Sequence, residues 1–176
     1  KFQHQARSTK RQYVSGETLF IWGKQYYLSF QPNSQKNGFE IKGDKVILSM
    51  REESTVKQRE NYVREQYRIL LKAEIERLLP KWERLTELYC DSWQTKYMLT
   101  RWGTCNTEKK KLWFNLQLAQ KPIECLEYVI LHELLHLKER THNSVFISYM
   151  DLYMKDWRAV RKELNDLRLD YYNTVE

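Results

Sequence analysis

No apolar run in this chain approaches the ~18 residues that a membrane-spanning helix needs. Cysteine is scarce as well. Cys90, Cys105 and Cys125 form no CxxC pair and no even framework, which argues against a disulfide-stapled fold and fits a reducing, cytoplasmic setting. Internal repeats, low-complexity tracts and recognised DNA-binding motifs are all missing. The opening Lys1-Phe2-Gln3-His4 reads as neither a secretory signal nor a native start. Glycine and proline do not occur between Ser54 and Leu79, so nothing there interrupts a helix.

What is present is a chain of 176 residues, enough for one domain with one core. Thirty basic against 23 acidic residues leave a net charge of +7. That excess suits either an anionic partner or a solvated basic surface. Residues 1–13 are polar and basic without periodicity and read as an arm. Over residues 14–50, aromatic and β-branched runs alternate with turns at Gly23-Lys24, Pro32-Asn33-Ser34, Asn37-Gly38 and Gly43-Asp44, which predicts an antiparallel strand meander. Residues 54–89 predict a long amphipathic helix that Pro80 ends or kinks, with a short helix after it. Its polar face alternates in charge, as a solvated surface does.

Residues 95–120 predict a second strand hairpin, one arm through Tyr97–Trp102 and the other through Leu112–Leu116. Residues 122–171 then predict two helices. The first opens at Pro122 with a packing stripe of Ile123, Leu126, Ile130, Leu134 and Leu137; the second runs from Ser144 to Tyr171. The expected class is therefore α+β.

The first of these helices carries His132-Glu133-Leu134-Leu135-His136, and His142 follows shortly after. From His132 to His136 a helix turns about 400° and rises about 6 Å, so both imidazoles leave the same face and can grip one metal ion. Hydrolytic zinc sites take three protein ligands and keep a fourth position open, and His142 is the nearest third donor. Continuing the same helix to His142 would add about 600° and turn that ring roughly 120° away. The helix must therefore break between them, with Thr141 or Asn143 available to cap the next one. Glu133, beside His132, is placed to act as general base on a zinc-activated water.

The bland alternative is a chance HExxH string on a buried helix. Two histidines and a glutamate facing a core are costly unless paired or metallated. A purely structural zinc usually closes with four protein ligands, often cysteines.

Elsewhere, Arg101 either binds substrate or serves its loop, and Trp102 reads as a core anchor. Gly103 reads as a residue of backbone geometry. Asn115 can orient a loop or a ligand. Cys105 reads as an inert thiol, and Cys125 lies about 10 Å along the helix axis from His132, too far to share a ligand position.

Together these blocks resemble the YgjP-like metallopeptidases, a zinc peptidase family allied to the SprT-like proteases. The resemblance is carried by Val14-Ser15-Gly16-Glu17-Thr18, Gly23 to Leu28, Arg101-Trp102-Gly103-Thr104-Cys105, Asn115, Leu118, Pro122, Tyr128 to Leu137, and His142-Asn143-Ser144-Val145-Phe146. The family pattern tends to serine at Asn143, proline near Lys155 and a smaller aliphatic at Trp22.

The resemblance implies a zincin-like core with His142 as the third zinc ligand, and a zinc-dependent endopeptidase acting on protein or peptide substrates. It also implies a substrate laid along an exposed strand edge, for which Leu112–Leu116 is the expected segment. The alternative reading, from the basic charge and the SprT-like kinship, is a DNA-associated module or a DNA-gated protease.

Overall fold

The computed structural model describes residues 10–167. Most of the expected basic arm (1–9) and the end of the expected last helix (168–171) lie outside the described residues.

The first four strands are β1 (Thr18–Ile21), β2 (Lys24–Pro32), β3 (Gly38–Lys42) and β4 (Lys45–Met50), in one sheet ordered β1-β2-β4-β3. The expected antiparallel pairing holds for β1 with β2 and for β3 with β4, but β2 and β4 run parallel, with Leu28 opposite Val46 and Phe30 opposite Leu48. Turn residues mark where strands end and leave the choice of neighbour to packing. Val46 and Leu48 are fully buried, so β4 takes an inner place. β3, with exposed Glu40, Ile41 and Lys42, takes the edge.

Trp22 and Gly23 both have positive φ (49° and 80°) in the two-residue turn between β1 and β2. That turn is docked: the Trp22 amide donates to the Ala119 carbonyl at 2.8 Å and the Gly23 amide to the Gln120 carbonyl at 3.1 Å. A Cβ on Gly23 would stand 2.9 Å from Cγ of Pro122, so only glycine permits this approach.

Helix α1 (Val56–Thr86) starts with a capping box, the Thr55 hydroxyl accepting from the Gln58 amide and the Gln58 side chain accepting from the Thr55 amide. Its inner stripe is Val63, Tyr67, Leu71, Ile75, Leu78, Leu79 and Trp82. Pro80 does not end it. The proline is on the exposed side, where the carbonyl it leaves unpaired can meet water, and the next two residues are anchored. Lys81 Nζ donates to Glu127 Oε1 at 2.8 Å and Trp82 Nε1 to the same oxygen at 3.3 Å, which holds the last turn in line.

The second sheet contains β5 (Ser92–Lys96), β6 (Gly103–Asn106) and β7 (Lys111–Asn115), in the order β5-β7-β6. The expected hairpin is β6 with β7. Tyr97–Trp102, expected as strand, is a loop: its backbone is taken by Asn115 rather than by a neighbouring strand. Leu112–Leu116 is not an exposed edge either. β7 is the central strand, with Leu112 and Phe114 fully buried, and the edge beside the histidine helix is β6.

A 3₁₀ turn (Leu116–Gln120) leads into α2 (Ile123–Leu135), then α3 (Ser144–Tyr153) and α4 (Trp157–Leu167). The expected single helix from Ser144 is thus broken at Met154–Asp156. Phe146, Met150, Met154, Trp157, Val160 and Leu164 are buried on both sides of the break, so the apolar period runs through it. Trp157 Nε1 donates to Asp151 Oδ1 at 2.8 Å, closing the corner that lays α4 on α2. Among the described residues, no helix is long and apolar enough to cross a membrane.

Candidate metal centre

Helix α2 is the buried axis of the molecule. Cys125, Leu126, Val129, Ile130, Leu131, Leu134 and Leu135 are all nearly inaccessible, which fixes the helix against α1, β6, α3 and α4. Its last turn carries His132, and His136 is the capping residue at its end, still with helical φ and ψ (−65°, −19°). The Leu137 and Lys138 amides return to the Leu134 and Leu135 carbonyls, both at 3.0 Å, and the chain then leaves the helix. Asn143 closes the corner. Its Oδ1 accepts from the Phe146 amide at 2.9 Å to cap α3, and its Nδ2 donates to Glu139 Oε2 at 3.0 Å. His142 is thereby turned back toward α2 across the helix break.

The three imidazoles meet through Nε2. The separations are 3.1 Å for His132 to His136, 3.0 Å for His132 to His142 and 3.1 Å for His136 to His142. Nitrogens about 3 Å apart can share one ion at the usual zinc–nitrogen distance of about 2.0–2.1 Å. The protonation chemistry agrees with such a cradle. His136 Nδ1 stands 3.0 Å from the Glu139 carbonyl; because a carbonyl only accepts, Nδ1 carries the proton and Nε2 offers a lone pair. Burial, reinforced by the two neighbouring imidazoles, pulls His132 down to about 3, so it is neutral at ordinary pH. Burial also lowers His136. Neutral imidazoles with converging lone pairs repel one another unless a cation sits among them.

Phe146, noted in the sequence only as part of the family resemblance, is a site residue that sequence reasoning did not assign a place at the histidines. Its ring lies 4.9 Å from that of His136, 5.1 Å from His132 and 5.0 Å from His142, centroid to centroid, and it is buried beneath all three. Its spacing offered a signal: it stands one helical turn beyond His142, in the first turn of α3. Tyr128, one turn before His132, brings its hydroxyl to 3.4 Å from His132 Nδ1.

Glu133 is 6% exposed, and its side chain lies against Gly103 at the start of β6. Burial pushes its carboxyl up to about 8, against the opposing pull of Arg101. A cation in the cradle would pull it back down. Arg101 itself lines a cleft of about 340 Å³ together with Gly103, His132, Glu133 and His142.

Asn115 is elsewhere, fully buried behind that loop. Its Nδ2 donates to the carbonyls of Met98 at 2.9 Å and Arg101 at 2.7 Å, so it shapes the segment that carries Arg101. Trp102 is buried in the core, as expected. Cys105 stays outside the metal-ligating group; burial and then Glu133 push its thiol up to about 11. Cys125 is fully buried and pushed up to about 12.

Two histidines of a HExxH helix joined by a third from beyond the helix break, with a buried carboxyl under a strand edge, form the kind of site that metal-dependent hydrolases use. The chain matches the family described as YgjP-like, metallopeptidase domain, over residues 1–167. It belongs to that family. No curated protein matches the chain.

Proposed function

We propose that the protein is a zinc-dependent endopeptidase in which His132, His136 and His142 hold the metal and Glu133 is the general base. The observation that carries this reading is the triangle of Nε2 atoms at 3.0–3.1 Å beside a buried carboxyl. A zinc ion in the cradle would polarise a peptide carbonyl and lower the pKa of a coordinated water toward about 7. Glu133 takes a proton from the attacking water and delivers it to the leaving amine as the C–N bond breaks. Its low exposure excludes bulk water from that exchange, and the Gly103 contact holds the carboxyl in place. Phe146 keeps the three rings in register, and the Glu139 carbonyl sets the His136 tautomer.

The substrate backbone would add along β6, whose far side is unpaired by any strand among the described residues. Strand addition uses main-chain hydrogen bonds and so tolerates many side chains.

The test is Glu133→Gln in the zinc-loaded protein. Zinc should remain stoichiometric while hydrolysis of an unfolded protein substrate falls about 10²- to 10⁴-fold. Undiminished hydrolysis would overturn the assignment.

A further inference from the structure

Resting on that peptidase reading, we infer that the cleft beside the histidines binds a carboxylate of the substrate between Arg101 and Arg161. The two arginines line the same cleft from separate elements, Arg101 from the loop that Asn115 shapes and Arg161 from α4. Among the described residues neither enters an ion pair, whereas Arg64, Arg68, Arg77 and Arg158 each do. Among the described residues, the only acid lining the cleft is Glu133. Two permanent positive charges against one carboxyl leave the cleft cationic, and a divalent ion in the cradle would increase the excess.

Guanidinium pairs recognise planar anions through parallel hydrogen bonds, and a carboxylate is the anion that peptides supply. Trp102, Val129 and Leu164 add apolar lining to the same cleft, suited to the methylene stem behind a carboxylate. The carboxylate has two sources, an aspartate or glutamate side chain near the cleaved bond or the free C-terminus of a peptide. The second would move cleavage from chain interiors to chain ends.

The experiment uses the zinc-loaded full chain and fluorogenic alanine-based peptides. One arm compares glutamate with glutamine at each position around the scissile bond; the other compares a free C-terminus with its amide. The expected result is a roughly three- to tenfold higher kcat/KM for the acid in one arm, expressed mainly in KM and weakening as salt rises. In Arg161→Gln and Arg101→Gln the preference should collapse toward one, and Arg161→Lys should restore part of it.

Equal kcat/KM for acid and neutral partners in both arms overturns the inference and leaves the peptidase intact. If no peptide is cut, the peptidase reading fails, and calorimetric binding of the same pairs then decides: tighter binding of the acid supports the subsite, equal binding removes it.

Discussion

Gly103 and Glu133 approach so closely that no side chain fits between them: a Cβ on Gly103 would stand 3.0 Å from Cγ of Glu133, 3.1 Å from its Oε1 and 2.8 Å from Cγ1 of Val129. The glycine is therefore required by the Val129 and Glu133 side chains opposite rather than by its own backbone, since its φ is not positive. Gly103→Ala should fold with a loss of about 1–3 kcal/mol from overpacking. It should keep its zinc yet lose about 10²-fold in peptide hydrolysis, because the displaced group is the proposed base. Thermal melting, zinc content and a peptidase assay check the three parts; a zinc-replete variant with full activity would remove the contact from the mechanism.

Chelation should lower the melting temperature, and restoring zinc at about a hundredfold excess over its Kd should return roughly 2.7 kcal/mol. His142 is exposed, so His142→Ala should leave the metal-free melting temperature nearly unchanged, within about 0.5 kcal/mol, while shrinking the zinc-dependent shift. Differential scanning calorimetry with and without zinc separates the two effects. A full zinc shift in the variant would exclude His142 as a ligand.

Asn115 replaces strand pairing for the loop that carries Arg101. Asn115→Ala should cost about 2–4 kcal/mol, because it opens a cavity, removes the donor to the Arg101 carbonyl and leaves the Met98 carbonyl only the longer bond from Gln117 Nε2 at 3.4 Å. Limited proteolysis should then cut within residues 97–102 before other sites. A variant as resistant as the parent would show that the loop is held by other means.

Tyr67 donates its hydroxyl to the Phe20 carbonyl at 2.9 Å and is 6% exposed, and burial raises its pKa well above the usual value. The folded state thus prefers the protonated phenol. Its contribution is complete below pH about 10, where the unfolded phenol is also neutral, and is lost as pH rises through the raised folded value. Urea titrations between pH 8 and 11 should show stability falling only at the alkaline end. Tyr67→Phe should cost about 1 kcal/mol at pH 7 and make that decline shallower. Some slope should remain, since Tyr13 and Tyr128 shift in the same direction. An unchanged slope would remove Tyr67 as a contributor.

The histidine cluster was readable because His132, His136 and His142 lie close along the chain and helical rotation is simple arithmetic. The same arithmetic demanded a break before His142, and α2 ends at Leu135 with Asn143 capping the next helix. Elements set by local pattern, such as β1, β4 and α1, were legible for the same reason. What depended on distant partners was not. The parallel pairing of β2 with β4 follows from which strand is buried on the core side. Pro80 stays inside α1 because Glu127, on another helix, holds the residues after it. The corner at Met154–Asp156 hides behind an unbroken apolar period, and with it the placement of Arg161 on the cleft.

The contrast between a cradle built from one short stretch and a carboxyl seated against a strand from earlier in the chain bears on how the protein matures. Bringing the three imidazoles together closes only a small loop of chain, a fast event with little entropy to overcome. Seating Glu133 against Gly103 requires the second sheet to dock on α2, a slower, long-range step. Under the mechanism proposed above, a nascent chain captures its ion before it is able to cut, and proteolytic competence arrives with the last tertiary contacts.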